Sequence, residues 1–178
     1  MQWVIDLLIV QGLLGAFDVF WHHEWQERLP TRANAKLEQK IHGARELFYA
    51  VVFLGLAWCA WHGWYAWLLA AVIALEVALT AWDFVEEDRS RRLRPSERVT
   101  HLILSINGGA YLALLFPHWL VWRAQPTALA GADFGWQSWL LSLMGVGVFV
   151  WGLRDLWSGL HTPKQPAAAE TEDMPCAY

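Results

Sequence analysis

Cysteine and charge are both scarce in this chain. Two cysteines in 178 residues make neither a disulfide framework nor a thiolate metal site. Cys59 lies inside an apolar run and Cys176 near the end of the chain, so both read as structural. Charged residues make up only 17%, and no basic patch interleaves with aromatics, which removes nucleic acid from the expected partners. The net charge of −4 says little, because the charges are segregated along the chain. No internal repeat of useful length is present. The first apolar run lacks a basic n-region and a small-residue cleavage site, and it carries Asp6, Gln11 and Asp18. It therefore reads as a retained helix rather than a signal peptide.

What the chain has in abundance is apolar surface. It is 56% hydrophobic and contains 14 Trp, too much for an ordinary soluble domain of this size. Apolar segments run roughly over Trp3–His23, Gly43–Trp61, Tyr65–Val85, Val99–Trp122 and Trp136–Trp157. Each approaches the ~20 residues that a bilayer-crossing helix needs. The expected fold class is therefore all-α: a polytopic membrane protein with five transmembrane helices. Residues 1–162 form a single transmembrane domain, and residues 163–178 a disordered cytoplasmic tail. Breaks are expected at Leu29-Pro30-Thr31 and at Arg94-Pro95-Ser96, with Ser96 as a helix N-cap. His62-Gly63-Trp64 reads as a tight turn, and the stretch from Pro117 to Gly135 as a long outer loop with Trp119, Trp122 and Trp136 in an interfacial belt.

The basic residues set an orientation. Of the 13 Lys and Arg, Arg28, Arg32, Lys36, Lys40 and Arg45 form one group, and Arg89, Arg91, Arg92, Arg94 and Arg98 another. Both fall on the same side of the expected topology, with Arg154 and Lys164, and only Arg123 falls opposite. The positive-inside rule then puts the N-terminus outside and the C-terminus in the cytoplasm. A bacterial inner membrane is the default location.

On that same side, four stretches carry acids or histidines one helical turn apart: Asp18/His22, Glu38/His42/Glu46, Asp83/Glu87 and Glu97/His101. A step of four projects each set from one helix face. Ionisable groups at the edge of an apolar core are costly, and their convergence asks for a function. A metal site is the simplest, with Asp18, His22, Glu38, His42, Asp83, Glu87, Glu97 and His101 as ligands. Glu46 is a further candidate. Gln11, Tyr49, Glu76 and Asn107 lie deeper; Glu76, seven residues from Asp83, is about 10 Å further along its helix and reads equally as a proton relay or a packing residue. Glu86 and Asp88 read as a solvated flank, and His23, His62, His118 and His161 as interfacial.

A carboxylate-rich set with imidazoles suits two cations, since bridging carboxylates offset their repulsion. Over helices 1 to 4, roughly Asp18 to His101, the ligand logic resembles that of the ferritin-like di-iron carboxylate four-helix-bundle proteins. Here the spacing is Glu97-x-x-x-His101 and Glu38-x-x-x-His42 rather than Glu-x-x-His. The expected architecture is an antiparallel bundle of helices 1–4 with the site at their cytoplasmic ends and helix 5 outside it; the resemblance implies two iron ions and oxygen chemistry. The expected function is a membrane-embedded, metal-dependent oxidoreductase or oxygenase acting on a lipid or hydrophobic small molecule, with a soluble or membrane electron donor. Two other classes stay open. One is a zinc-dependent membrane hydrolase of lipids, using His22, His42 and His101 with Asp83 or Glu87 as general base. The other is a non-enzymatic ion transporter or membrane scaffold. Haem is disfavoured because carboxylates surround the histidines.

Overall fold

A backbone in lipid must satisfy its own hydrogen bonds, and long apolar runs do so as helices. The computed structural model describes residues 1–161 of the chain; the tail expected over 163–178 lies outside the described residues, as does Cys176. The helices are α1 (Gln2–Phe17), α2 (Lys36–Trp58), α3 (Trp64–Ser90), α4 (Pro95–Trp122) and α5 (Trp136–His161). Two short strands, β1 (Cys59–His62) and β2 (Ala128–Gly131), pair antiparallel, with Cys59 opposite Gly131 and His62 opposite Ala128.

Among the described residues the chain is thus helical apart from this strand pair and its connecting loops, and four of those segments are long and apolar enough to cross a membrane. They are Gln2–Gln26, Trp64–Ser90, Pro95–Trp122 and Trp136–His161. The segment expected as a further span lies in α2. Its first half carries Lys36, Glu38, Lys40, His42, Arg45 and Glu46, which leaves only its second half continuously apolar. Leu13, Leu102, Ile106 and Leu143 point outward and are exposed. So are Trp3, Trp64 and Trp136 at the starts of α1, α3 and α5, and Trp25, Trp82 and Trp157 toward the other end. An apolar belt between two rims of tryptophan is consistent with an integral membrane protein.

Three local features depart from the simple helix reading. First, α1 does not stop at Phe17. It continues as a π-helical segment, Asp18–Gln26, whose i→i+5 bonding sets a wider turn than an α-helix. Second, Ser96 is not the cap of α4. Arg94 holds that position, and Pro95 is the first helical residue, where its missing N–H costs nothing. Third, the outer loop contains β2 and closes back onto the α2–α3 turn. Gly63 has φ +59°, and a Cβ there would stand 2.5 Å from Thr127 Oγ1, so the turn takes glycine for both backbone and space.

Helix packing corrects the peripheral place expected for α5. The most extensive helix contact in the molecule is α2 against α5, ahead of α2 on α3 and α1 on α4. A Cβ on Gly43 would lie 2.7 Å from Gly152 O, and one on Gly152 would lie 2.9 Å from Gly43 O. Two glycines facing each other let the backbones approach closely, the usual route to tight packing where lipid competes with side chains. By contrast, α3 and α4 follow one another in the chain yet have almost no close backbone approach. They touch near their ends, where Trp119 Nε1 donates to Ala66 O (2.9 Å) and Phe84 stacks on His101.

Candidate metal centre

Five segments bring polar side chains to one end of the molecule: the π-helical segment, the start of α2, the end of α3, the start of α4 and the end of α5. The residues are buried to a degree unusual for charged groups. Asp18, His22, Glu38, Asp83, Glu87 and Glu97 are each at most 1% exposed. Burial on that scale requires partners.

The π-helical stretch decides which histidines arrive. His22 Nδ1 lies 2.8 Å from Asp18 Oδ1, and its Nε2 lies 3.2 Å from Ser96 Oγ. With Nδ1–H donating to the carboxylate and the serine hydroxyl donating to Nε2, both ring nitrogens are engaged. His23, five residues after Asp18, is carried inward by the wider turn. It is buried, with Nε2 3.5 Å from Glu97 Oε1 and 3.7 Å from Asp18 Oδ2 in neither case making a hydrogen bond. The interfacial reading of His23 is therefore overturned. The signal in the sequence was the adjacent pair His22-His23 behind an acid, which only a non-α turn can aim at one centre.

Ligand-capable atoms of His23, Glu87, Glu97 and His101 all lie within 4.8 Å of one another. His101 is oriented for the role. Its Nε2 lies 3.0 Å from Asp18 Oδ2, and with that N–H donated, Nδ1 faces Glu87 Oε2 at 3.4 Å. A carboxylate that takes one imidazole N–H and leaves the other nitrogen's lone pair directed at a cluster is the standard support for a metal-binding histidine. Glu97 is held through both oxygens by Arg91, at 2.8 and 2.6 Å. His23 Nε2 and Glu87 Oε2 are buried with no hydrogen-bond partner. An unpartnered imidazole nitrogen and an unpartnered carboxylate oxygen, buried together, are what a cation would satisfy with the imidazole in its neutral form.

A second set comprises His42, Glu46 and Asp155, again with ligand atoms within 4.8 Å. His42 Nδ1 lies 3.2 Å from Asp83 Oδ2, leaving Nε2 facing Glu46 Oε1 at 3.8 Å. The His23 and His42 rings are 4.6 Å apart, so the two sets adjoin. Asp155 had no place in the sequence reading. The available signal was Gly145, Gly152 and Gly159, a seven-residue stripe of small residues marking the face on which Asp155 also falls.

The sequence-expected residues are thus divided in role. Glu87, Glu97 and His101 meet in the first set, and His42 in the second with Glu46. Asp18 and Asp83 lie behind histidines; Asp83 also accepts from Arg45 at 2.8 Å. His22 bridges Asp18 and Ser96. Glu38 accepts from Arg91 Nε (3.0 Å) and Ser90 Oγ (2.6 Å) and stands apart from both sets. Burial alone would lower the Arg91 guanidinium's pKa, but the Glu97 and Glu38 carboxylates more than offset it and hold it above its usual range. Glu24 and Glu27 pair with Arg154 and with Arg32 and Arg94.

Deeper along the helices, Asn107 Nδ2 donates to Gln11 Oε1 (2.7 Å), Gln11 Nε2 donates to Tyr49 OH (3.1 Å), and Thr80 Oγ1 donates to Glu76 Oε1 (2.7 Å). Gln11, Tyr49 and Glu76 line a cavity of about 620 Å³ that also reaches Asp18, His42 and His101. Its remaining wall is largely apolar, including Phe53, Phe84, Leu104 and Met144. A Cβ on Gly15, Gly108, Gly109 or Gly147, all in that wall, would meet nothing within 4 Å. These glycines make room in front of the helices rather than contact between them.

No protein-family model, curated protein or solved structure matches the chain. The functional reading therefore rests on the site itself.

Proposed function

We propose that this protein is an integral-membrane, metal-dependent oxidoreductase that acts on a lipid or other hydrophobic small molecule, with iron as its metal. The observation that carries the proposal is the set His23, Glu87, Glu97 and His101, in which a buried imidazole nitrogen and a buried carboxylate oxygen lack partners beside an apolar cavity. Because Arg91 occupies both oxygens of Glu97, the freer donors are two imidazoles and one carboxylate, the donor set of non-haem iron oxygenases.

The chain's own residues supply support and access. Asp18 fixes the ring of His101, Arg91 fixes Glu97, and Phe84 covers the His101 face. The cavity admits an apolar chain while the packed ends of the helices limit water. Bound iron would supply oxygen activation: one oxygen atom enters a substrate C–H bond, and the other leaves as water with two electrons and two protons from a reductant. Most of the cavity wall is hydrocarbon, which suits the apolar chain of a lipid. The same three donors also suit zinc, so a zinc hydrolase is the second reading.

In this proposal α2 crosses the membrane as a fifth span, and the basic end with the site faces the cytoplasm. An introduced cysteine at Ala124 should react with an impermeant reagent added outside, and one at Asp88 should not; the reverse pattern rejects this orientation. For the chemistry, purified protein should contain iron, and the reduced protein should consume O2 faster with a long-chain substrate present. His101→Ala should remove the metal held by the four-residue set. Iron-free protein carrying zinc, or metal inert to reductant and O2, would end the oxidoreductase reading. Metal content unchanged in His101→Ala would end the placement.

A further inference from the structure

We infer that the last helix completes a second cation site, formed by His42, Glu46 and Asp155, so that the centre holds two ions side by side. This rests on the proposed function only for its neighbour; the donors are a separate set.

All three residues are more than nine-tenths buried: His42 is 4% exposed, Glu46 7% and Asp155 3%. Glu46 Oε2 is buried without a hydrogen-bond partner. The same carboxylate offers an oxygen within 4.8 Å of an imidazole nitrogen and a second carboxylate, so a buried group with a spare electron pair stands in a ready set of donors. His42 is turned for this. Asp83 takes its Nδ1 side, so Nε2 faces the carboxylates, the same arrangement that Asp18 imposes on His101. One such pair is unremarkable in a buried network. Two, behind two adjoining clusters, repeat a device that orients histidines toward metal.

The placement of Asp155 follows from the backbone. Gly43 follows His42, and Gly152 precedes Asp155 by three residues. Their mutual contact brings α5 close enough for Asp155 to reach His42 and Glu46. Arg154 NH1 also donates to Asp155 Oδ1 at 3.0 Å and is itself held by Glu24. That leaves the second Asp155 oxygen for the cation. One imidazole and two carboxylates form an oxygen-rich set, suited to a divalent iron or manganese ion rather than to a thiolate-type metal. The ring contact between His23 and His42 puts the two ions in adjoining pockets.

The test is anaerobic titration of metal-free full-length protein with Fe(II), with bound metal counted per chain and folding followed by circular dichroism. The parent should bind two ions. Asp155→Asn and Glu46→Gln, which keep side-chain volume, should each bind one, and His101→Ala should lose the other. If one of these variants fails to fold, the remaining one carries the test. A parent that binds one ion, lost in His101→Ala and retained in Asp155→Asn, overturns the second site and leaves the proposed function standing. A parent that binds none overturns both. Two ions retained in both Asp155→Asn and Glu46→Gln also overturn the second site.

Discussion

Asp18 and Asp83 each hold one histidine ring from behind, but in different company. Asp18 is surrounded by imidazoles: His22 on one oxygen, and His101, with His23 nearby, on the other. Asp83 shares its Oδ2 between His42 and the Arg45 guanidinium and leaves Oδ1 unpartnered. The first acid is therefore matched by groups that are neutral or charged according to their own partners. The second is matched by a permanent cation. One aspartate is tuned to its histidines, and the other is also a structural counter-ion. The same residue type, at the same end of the molecule, is thus expected to fail in two different ways.

The largest effect should come from Asp83→Asn, which strands the Arg45 guanidinium in a nearly buried site. Removing one partner of a buried pair costs about 3 kcal/mol or more, read as a lowered unfolding midpoint in detergent. Adding Arg45→Met should return most of that loss, because replacing both members with apolar groups is close to neutral. Asp83→Asn protein as stable as the parent would erase the contrast with Asp18. Next in size, Asp18→Asn should weaken metal binding at the His101 set by about 10- to 100-fold, the usual cost of losing a carboxylate behind a ligating histidine. Chelator competition measures this, and the unfolding midpoint should move less than in Asp83→Asn. Parent-like affinity would show that Asp18 does not set the ring. Smaller again, Ser96→Ala should cost at most about 1 kcal/mol, one partly buried hydrogen bond to His22 Nε2, with metal content retained. Loss of metal there would mean that Ser96, through His22, helps to hold Asp18 in place. At the bottom of the scale, His62→Ala, on β1 at the opposite end, should leave metal content unchanged.

Much of the architecture could be read from the sequence, because a bilayer reduces the problem to apolar length and charge placement. The apolar segments containing Trp3, Tyr65, Val99 and Trp136 lie in helices long enough to cross a membrane. Polar residues at step four also meet at one end. What could not be read was the geometry between neighbours. The step-four rule assumes an α-helix, and the π-helical turn over Asp18–Gln26 moved His23 inward. Asp155 was invisible because nothing in a single chain says which face of α5 meets which helix. Arg45 and Arg91 look like topology signals, yet each is spent on a buried carboxylate. The strand pair was missed for a different reason: it is only four residues a side, within segments that read as apolar run and loop.

The α2–α5 seam bears on how the protein is made. A chain emerging from the ribosome delivers α2 early and α5 last. Of the five long helices, α2 is the one whose composition does not qualify it to cross a bilayer unaided. Among the described residues its most extensive neighbour is α5, which is synthesised after α3 and α4. Until α5 is made, the helix carrying His42 and Glu46 lacks that neighbour. Close packing of α2 is consequently a matter of order: the Gly43–Gly152 contact forms only once both helices have been made.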